Sequence, residues 1–100
     1  MIDTDVKLDE KIERKVGIPP KYKVVLLNDN STPIDFVVGI LTDVYRHSID
    51  TAKQLTLTIH TEGAGVAGIY TYEIAEQKAS ETVTLARASG FPLRVTLEEE

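Results

Sequence analysis

One hundred residues with 42% hydrophobic content suit a single small domain with one modest core, and the absence of cysteine excludes disulfides, cysteine nucleophiles and thiolate metal sites. A formal net charge of −5 argues against nucleic acid as a main partner, because phosphate binding needs a basic face. No run approaches the ~18 apolar residues of a membrane span and the first residues lack the apolar centre of a secretory signal, so neither is expected, while the absence of cysteine fits a cytoplasmic location.

Residues 1–20 read as a flexible arm. Charges of both signs alternate through MIDTDVKLDEKIERK, and Gly17-Ile18-Pro19-Pro20 interrupts the faint helical stripe of Val6, Leu8, Ile12 and Val16. A core domain is expected over residues 21–98. Lys23-Val24-Val25-Leu26-Leu27 is short, rich in β-branched residues and preceded by prolines, as a buried strand is. Asn28, Asp29 and Asn30 stop it. Thr32 is placed to cap a helix, Pro33 suits its first position, and Asp35 stands where a capping-box acid would. Residues 33–47 then carry Val37, Ile40, Leu41 and Val44 at helical spacing, with Ile34, Val38 and Tyr45 widening the stripe.

His47-Ser48-Ile49-Asp50 makes a corner, and Asp50 is the expected N-cap of a second helix ending near His60, with Ala52, Leu55 and Ile59 inward. His47 itself matches no motif and is read as surface. Gly65 to Tyr70 reads as a strand in which Gly68 signals a bulge or a close approach. Thr71 is placed to cap a third helix from about Tyr72 to Ser89, where Ala75, Ala79, Val83 and Ala86 recur every three or four positions and Gly90 provides a stop. Leu93 to Leu97 alternates as a half-buried strand should. The order β-α-α-β-α-β is that of a small α+β domain, with one three-stranded sheet and three helices packed on it.

The stretch between the first strand and the first helix holds polar groups on a short bend between two rigid elements. Local chemistry alone also accommodates a plain turn there, since Asn, Asp and Ser are turn residues. The wider pattern is more specific. Tyr22 to Val37, read as Y-K-V-x-L-x-N-D-x-x-T-P-x-x-F-V, resembles the hallmark of the ClpS adaptor family. Ala52 to His60 (AKQLTLTIH) resembles that family's A-x-x-L-x-x-x-V-H helix, with Ile59 before His60, and Gly63, Gly68 and Tyr72 to Lys78 stay in register.

The resemblance implies an antiparallel sheet and a non-enzymatic adaptor without a cofactor. ClpS-type adaptors bind the free amino terminus and bulky hydrophobic first residue (Leu, Phe, Tyr or Trp) of N-degron substrates. They deliver them to the N-terminal domain of a Clp-family AAA+ unfoldase, of ClpA or ClpC type, and this chain is expected to act as a monomer. By this carry-over, Asn28 and His60 hold the ligand's ammonium with Asp29 and Asn30 nearby. Ile34, Val37, Thr56, Ile59 and Leu93 wall the pocket for the first side chain, and Thr32 sits at its rim. Tyr72, Glu73, Gln77 and Lys78 face the unfoldase. The chemistry is coherent: an ammonium has three donors and wants acceptors, while an apolar side chain wants a dry pocket.

Three positions depart from the family pattern. Asn30 stands where a second aspartate is usual, Ile34 where a gatekeeping methionine is usual, and Thr56 where a further methionine is frequent. An amide accepts without the charge attraction, isoleucine is stiff where methionine adapts, and threonine is shorter and brings a hydroxyl. These changes keep open a second reading, a ClpS-like interaction domain that docks on the unfoldase without efficient N-degron binding. An enzyme would have to use Asp29, His60 and Ser31, with no orienting group, phosphate loop or metal set to support them.

Overall fold

The computed structural model describes residues 18–100, so the expected arm falls outside the described residues apart from Ile18, Pro19 and Pro20. Six elements follow in the expected order: β1 (Lys21–Leu27), α1 (Ile34–Asp43), α2 (Ile49–Glu62), β2 (Ala64–Thr71), α3 (Tyr72–Ala88) and β3 (Arg94–Glu99). β1 lies at the centre of the sheet and pairs antiparallel with both β2 and β3. Central placement explains its near-continuous apolar run, for Val24, Val25 and Leu26 are all buried. Along β1–β2 the register shifts between Val24 and Val25, opposite Gly68 and Val66, which is the irregularity Gly68 signalled. A Cβ at Gly68 would also collide with the Tyr70 ring.

The core forms between this sheet and the apolar faces of the helices. Leu26, Leu41 and Leu93 are its largest fully buried apolar side chains, joined by Val24, Val37, Ile40, Val44, Tyr45, Ala52, Ile59 and Ala75. Burial of one such leucine contributes about 1.5–3 kcal/mol.

Helix ends differ from expectation in informative ways. α1 stops at Asp43, although Val44 and Tyr45 continue its buried stripe. Arg46 adopts φ 62°, and the His47 amide donates to the Leu41 carbonyl at 3.1 Å, so the chain folds back over its own last turn. Thr32 does not cap α1. The N-cap is Pro33, and the Thr32 hydroxyl goes to Asp29 instead. α2 starts earlier than expected, with Ser48 as N-cap accepting from the Thr51 amide, which leaves Asp50 in the first turn where its charge complements the helix dipole. Thr71 is the N-cap of α3 but makes no side-chain cap bond. Gly90, at φ 82°, ends α3 as expected, and Phe91 turns back to pack edge-on against Phe36 at 5.0 Å.

His47 is not a free surface residue. Its Nε2 lies 2.6 Å from the Ala67 carbonyl, so Nε2–H donates and fastens the α1–α2 corner to β2. A second polar tie was equally hidden. Thr82 on α3 is fully buried and donates to the Lys78 carbonyl at 2.8 Å, which leaves its oxygen to accept from the Tyr45 hydroxyl at 2.8 Å. Burial pushes the Tyr45 phenol up to about 12, so it remains a donor at every physiological pH.

Lys78 completes this cluster. Its Nζ donates to the Val44 carbonyl at 2.8 Å and lies 5.4 Å from the Tyr70 ring centre and 5.9 Å from that of Tyr45. The ammonium therefore satisfies a carbonyl left free at the end of α1 and sits over two aromatic faces. Lys78→Met is expected to lower the unfolding free energy by about 1.5–3 kcal/mol, the range for a hydrogen bond to a charged group. A urea titration showing no shift of the midpoint would remove Lys78 from this role.

Candidate functional site

β1 and α2 end side by side. The Asn28 amide donates to the Gly63 carbonyl at 2.9 Å, and Gly63 is the C-cap of α2, in the left-handed region at φ 93°. That single bond ties the residue leaving β1 to the end of the helix that carries His60 in its last turn. The carbonyl end of a helix bears partial negative charge, worth about 0.3–1 kcal/mol to a cation placed there.

Asp29 organises the loop between β1 and α1. Its Oδ1 accepts from the Ser31 and Thr32 amides at 2.7 Å each, and its Oδ2 from the Thr32 hydroxyl at 2.7 Å. Burial alone would raise this carboxyl. The hydrogen bonds from Thr32 and Ser31, with the more distant Arg94 charge, outweigh burial and hold it below its ordinary value of 3.8. A lowered folded-state value means that the carboxylate's contribution is complete above the unfolded value and is lost only as pH falls through the lowered one. Asp29 is ionised throughout the neutral range. Both of its oxygens are occupied within the loop, so it holds Asn28 and Asn30 in place rather than presenting an unpaired charge.

One concavity of about 200 Å³ unites these groups. Its polar end is formed by Asn28, Asp29, Asn30, Thr32 and His60, and its apolar wall by Ile34, Val37, Thr56 and Ile59. The volume is below the ~300–1,000 Å³ of sites for drug-sized ligands and is of a size for one side chain. Val37, Thr56 and Ile59 are buried, whereas Ile34 is 54% exposed and stands at the mouth. His60 and Asn30 are exposed, while Asn28 is half-buried. Leu93 is not among the residues lining this cavity. It is buried in the interior immediately before β3.

Gly65 was not singled out by sequence reasoning, yet it backs the pocket. A Cβ there would lie 2.7 Å from Ile59 Cγ1 and 3.6 Å from its Cδ1. The bare backbone of β2 is what leaves room for the Ile59 side chain. A glycine inside a strand was the available signal, and it was read at Gly68 alone.

The expected docking residues occupy the first turns of α3. Tyr72, Glu73 and Gln77 are exposed, and Tyr72 stacks edge-on against Tyr22 at 5.1 Å. Lys78 is half-buried with its Nζ engaged as above. Among the described residues, no helix is long and apolar enough to cross a membrane.

A family model described as "ATP-dependent Clp protease adaptor protein ClpS" matches residues 18–96. The chain is 46% identical over 94 residues to the ATP-dependent Clp protease adapter protein ClpS of Desulforapulum autotrophicum, covering 94% of this chain and 90% of that one. With the protein of the same name from Lawsonia intracellularis it shares 47% identity over 95 residues, covering 95% and 84%. A solved structure of Agrobacterium tumefaciens ClpS2 bound to L-phenylalaninamide is similar with a TM-score of 0.79 and 44% identity, over 82% of this chain and 99% of that one.

Proposed function

The chain belongs to the ClpS family of ATP-dependent Clp protease adaptor proteins, which are not enzymes, and from that premise we propose that the cavity between β1 and α2 captures the first residue of N-degron substrates. Asn28 and His60 accept from the ligand's ammonium, with Asn30 beside them. Thr32, whose hydroxyl proton is spent on Asp29, accepts from the ligand backbone at the rim. Ile34, Val37, Thr56 and Ile59 enclose the first side chain. The observation that carries the reading is the continuity of acceptors and hydrocarbon within one small cavity. L-phenylalaninamide, which the Agrobacterium relative binds, pairs a free amino group with a single aromatic side chain, and this cavity offers complements to both. Delivery to the N-terminal domain of an unfoldase of ClpA or ClpC type through Tyr72, Glu73, Gln77 and Lys78, as a cytoplasmic monomer, completes the proposal.

Titration with peptides beginning with Phe, Leu, Trp, Val or Ala tests it, the best binder being repeated with its amino group acetylated. Binding by the bulky first residues that acetylation abolishes is the expected result. Equal binding by all five, or survival of binding after acetylation, defeats the reading.

His60→Ala, which deletes the imidazole from the polar end of the cavity, is expected to weaken binding of the best peptide by about tenfold or more, the loss of one hydrogen bond to a charged group. Unchanged affinity in that variant would take His60 out of the site.

A further inference from the structure

Thr56 brings a hydroxyl-bearing side chain to a wall that is otherwise hydrocarbon. Of Ile34, Val37, Thr56 and Ile59, it alone has a side-chain acceptor, and it is buried. Its hydroxyl proton is already committed, because Oγ1 donates to the Ala52 carbonyl at 2.7 Å. Only lone pairs remain on that oxygen, so toward an occupant of the cavity Thr56 acts as an acceptor and not as a donor.

Position along the helix says which occupant can reach it. Thr56 and His60 lie on one face of α2, a turn apart, and both line the cavity. Four residues of α-helix advance about 6 Å. A ligand whose amino group lies at His60 and whose side chain runs back along α2 carries the para position of an aromatic ring a comparable distance from its α-carbon. Phenylalanine brings only C–H there, and tyrosine brings a hydroxyl able to donate.

We infer that Thr56 makes this pocket select tyrosine over phenylalanine as first residue, through a hydrogen bond from the tyrosyl hydroxyl to Thr56 Oγ1. The inference rests on the cavity being the first-residue pocket proposed above. With phenylalanine in place, the Thr56 hydroxyl keeps only its bond to the Ala52 carbonyl. With tyrosine it gains a second hydrogen bond, as acceptor, and the buried tyrosyl hydroxyl gains its partner. A site that hydrogen-bonds a substrate hydroxyl discriminates against the analogue lacking it by the net value of that bond.

The test measures the ratio of affinities for two peptides that differ only in Tyr or Phe at position one, each also in acetylated form. Wild-type protein is expected to prefer the tyrosine peptide by about three- to tenfold, the range for one net hydrogen bond. Thr56→Val keeps the shape and deletes the acceptor, and should bring the ratio to one or below, since a buried tyrosyl hydroxyl then lacks a partner. Thr56→Ser keeps the acceptor and should retain the preference. A wild-type ratio of one or less overturns the inference without recourse to any variant, which covers the case of Thr56→Val failing to fold. A tyrosine preference unchanged in Thr56→Val overturns it as well. In both cases amine-dependent binding persists, so the first-residue pocket stands; binding of neither peptide, or binding insensitive to acetylation, removes the pocket itself and this inference with it.

Discussion

Asn28→Ala is expected to weaken binding of a peptide beginning with Phe by about ten- to hundredfold, the loss of one hydrogen bond to a charged group. Asn28 is half-buried at the junction of β1 with the C-cap of α2, so its side chain is aimed by backbone on both sides. The bond that fixes it, from its own amide to the Gly63 carbonyl, survives the substitution because it needs no side chain. The protein should therefore keep its denaturation midpoint within error while affinity drops. Isothermal titration alongside a urea curve separates the two quantities. Affinity within threefold of wild type would show that His60 and solvent suffice for the ammonium, and would exclude Asn28 as an acceptor. The nearby exchange of an acid for Asn30 is a smaller matter: Asn30 is exposed, and a solvent-exposed charge pair contributes only about 0.2–1 kcal/mol.

Element order was legible because each element carries a strong pattern: a β-branched run in β1, helical spacing in α1, alternation in β3; the antiparallel pairing was implied by the family resemblance alone. What escaped were features in which polar atoms do structural work. Thr82 breaks the apolar periodicity of α3, where Ala79 and Val83 were expected inward, yet it is fully buried because the Lys78 carbonyl and Tyr45 hydroxyl satisfy it. The end of α1 was missed because an arginine, not a glycine, takes the left-handed position at residue 46. Thr32 has the chemistry of a cap, but a carboxylate three residues earlier is a stronger acceptor for its hydroxyl than any use at the helix end. In the site, nine of the ten expected pocket and amine-binding residues line the cavity, and the exception is diagnostic. Leu93 has the right chemistry for a wall, but it is buried immediately before β3 and is not among the residues lining the cavity, and no sequence pattern separates a core leucine from a pocket leucine.

Gly65→Ala is expected to damage the pocket more than its single methyl group suggests. The new Cβ would stand 2.7 Å from Ile59 Cγ1, far inside contact distance, and the obstructed atom lies next to the side chain's branch point rather than at its flexible tip. Isoleucine is stiff at χ1, so relief comes from moving the whole side chain or the end of α2, and both lead into the cavity. Overpacking of this kind costs about 1–3 kcal/mol of stability. Any displacement that relieves it shrinks the wall against which the ligand's ring must lie. Affinity for Phe-start and Trp-start peptides should fall relative to that for Leu-start, because the larger rings tolerate less loss of cavity volume. Gly39→Ala supplies the contrast. Its Cβ meets nothing within 4 Å, it lies within α1 away from the cavity, and the change should raise stability by about 0.4–1 kcal/mol without touching affinity. Pairing Gly65→Ala with Ile59→Ala, which deletes the obstructing carbon, should cost less than the sum of the two single changes, the signature of residues in contact. Strict additivity, or a Gly65→Ala protein with wild-type stability and affinity, would mean that β2 and Ile59 part freely and that glycine at this position does not shape the site.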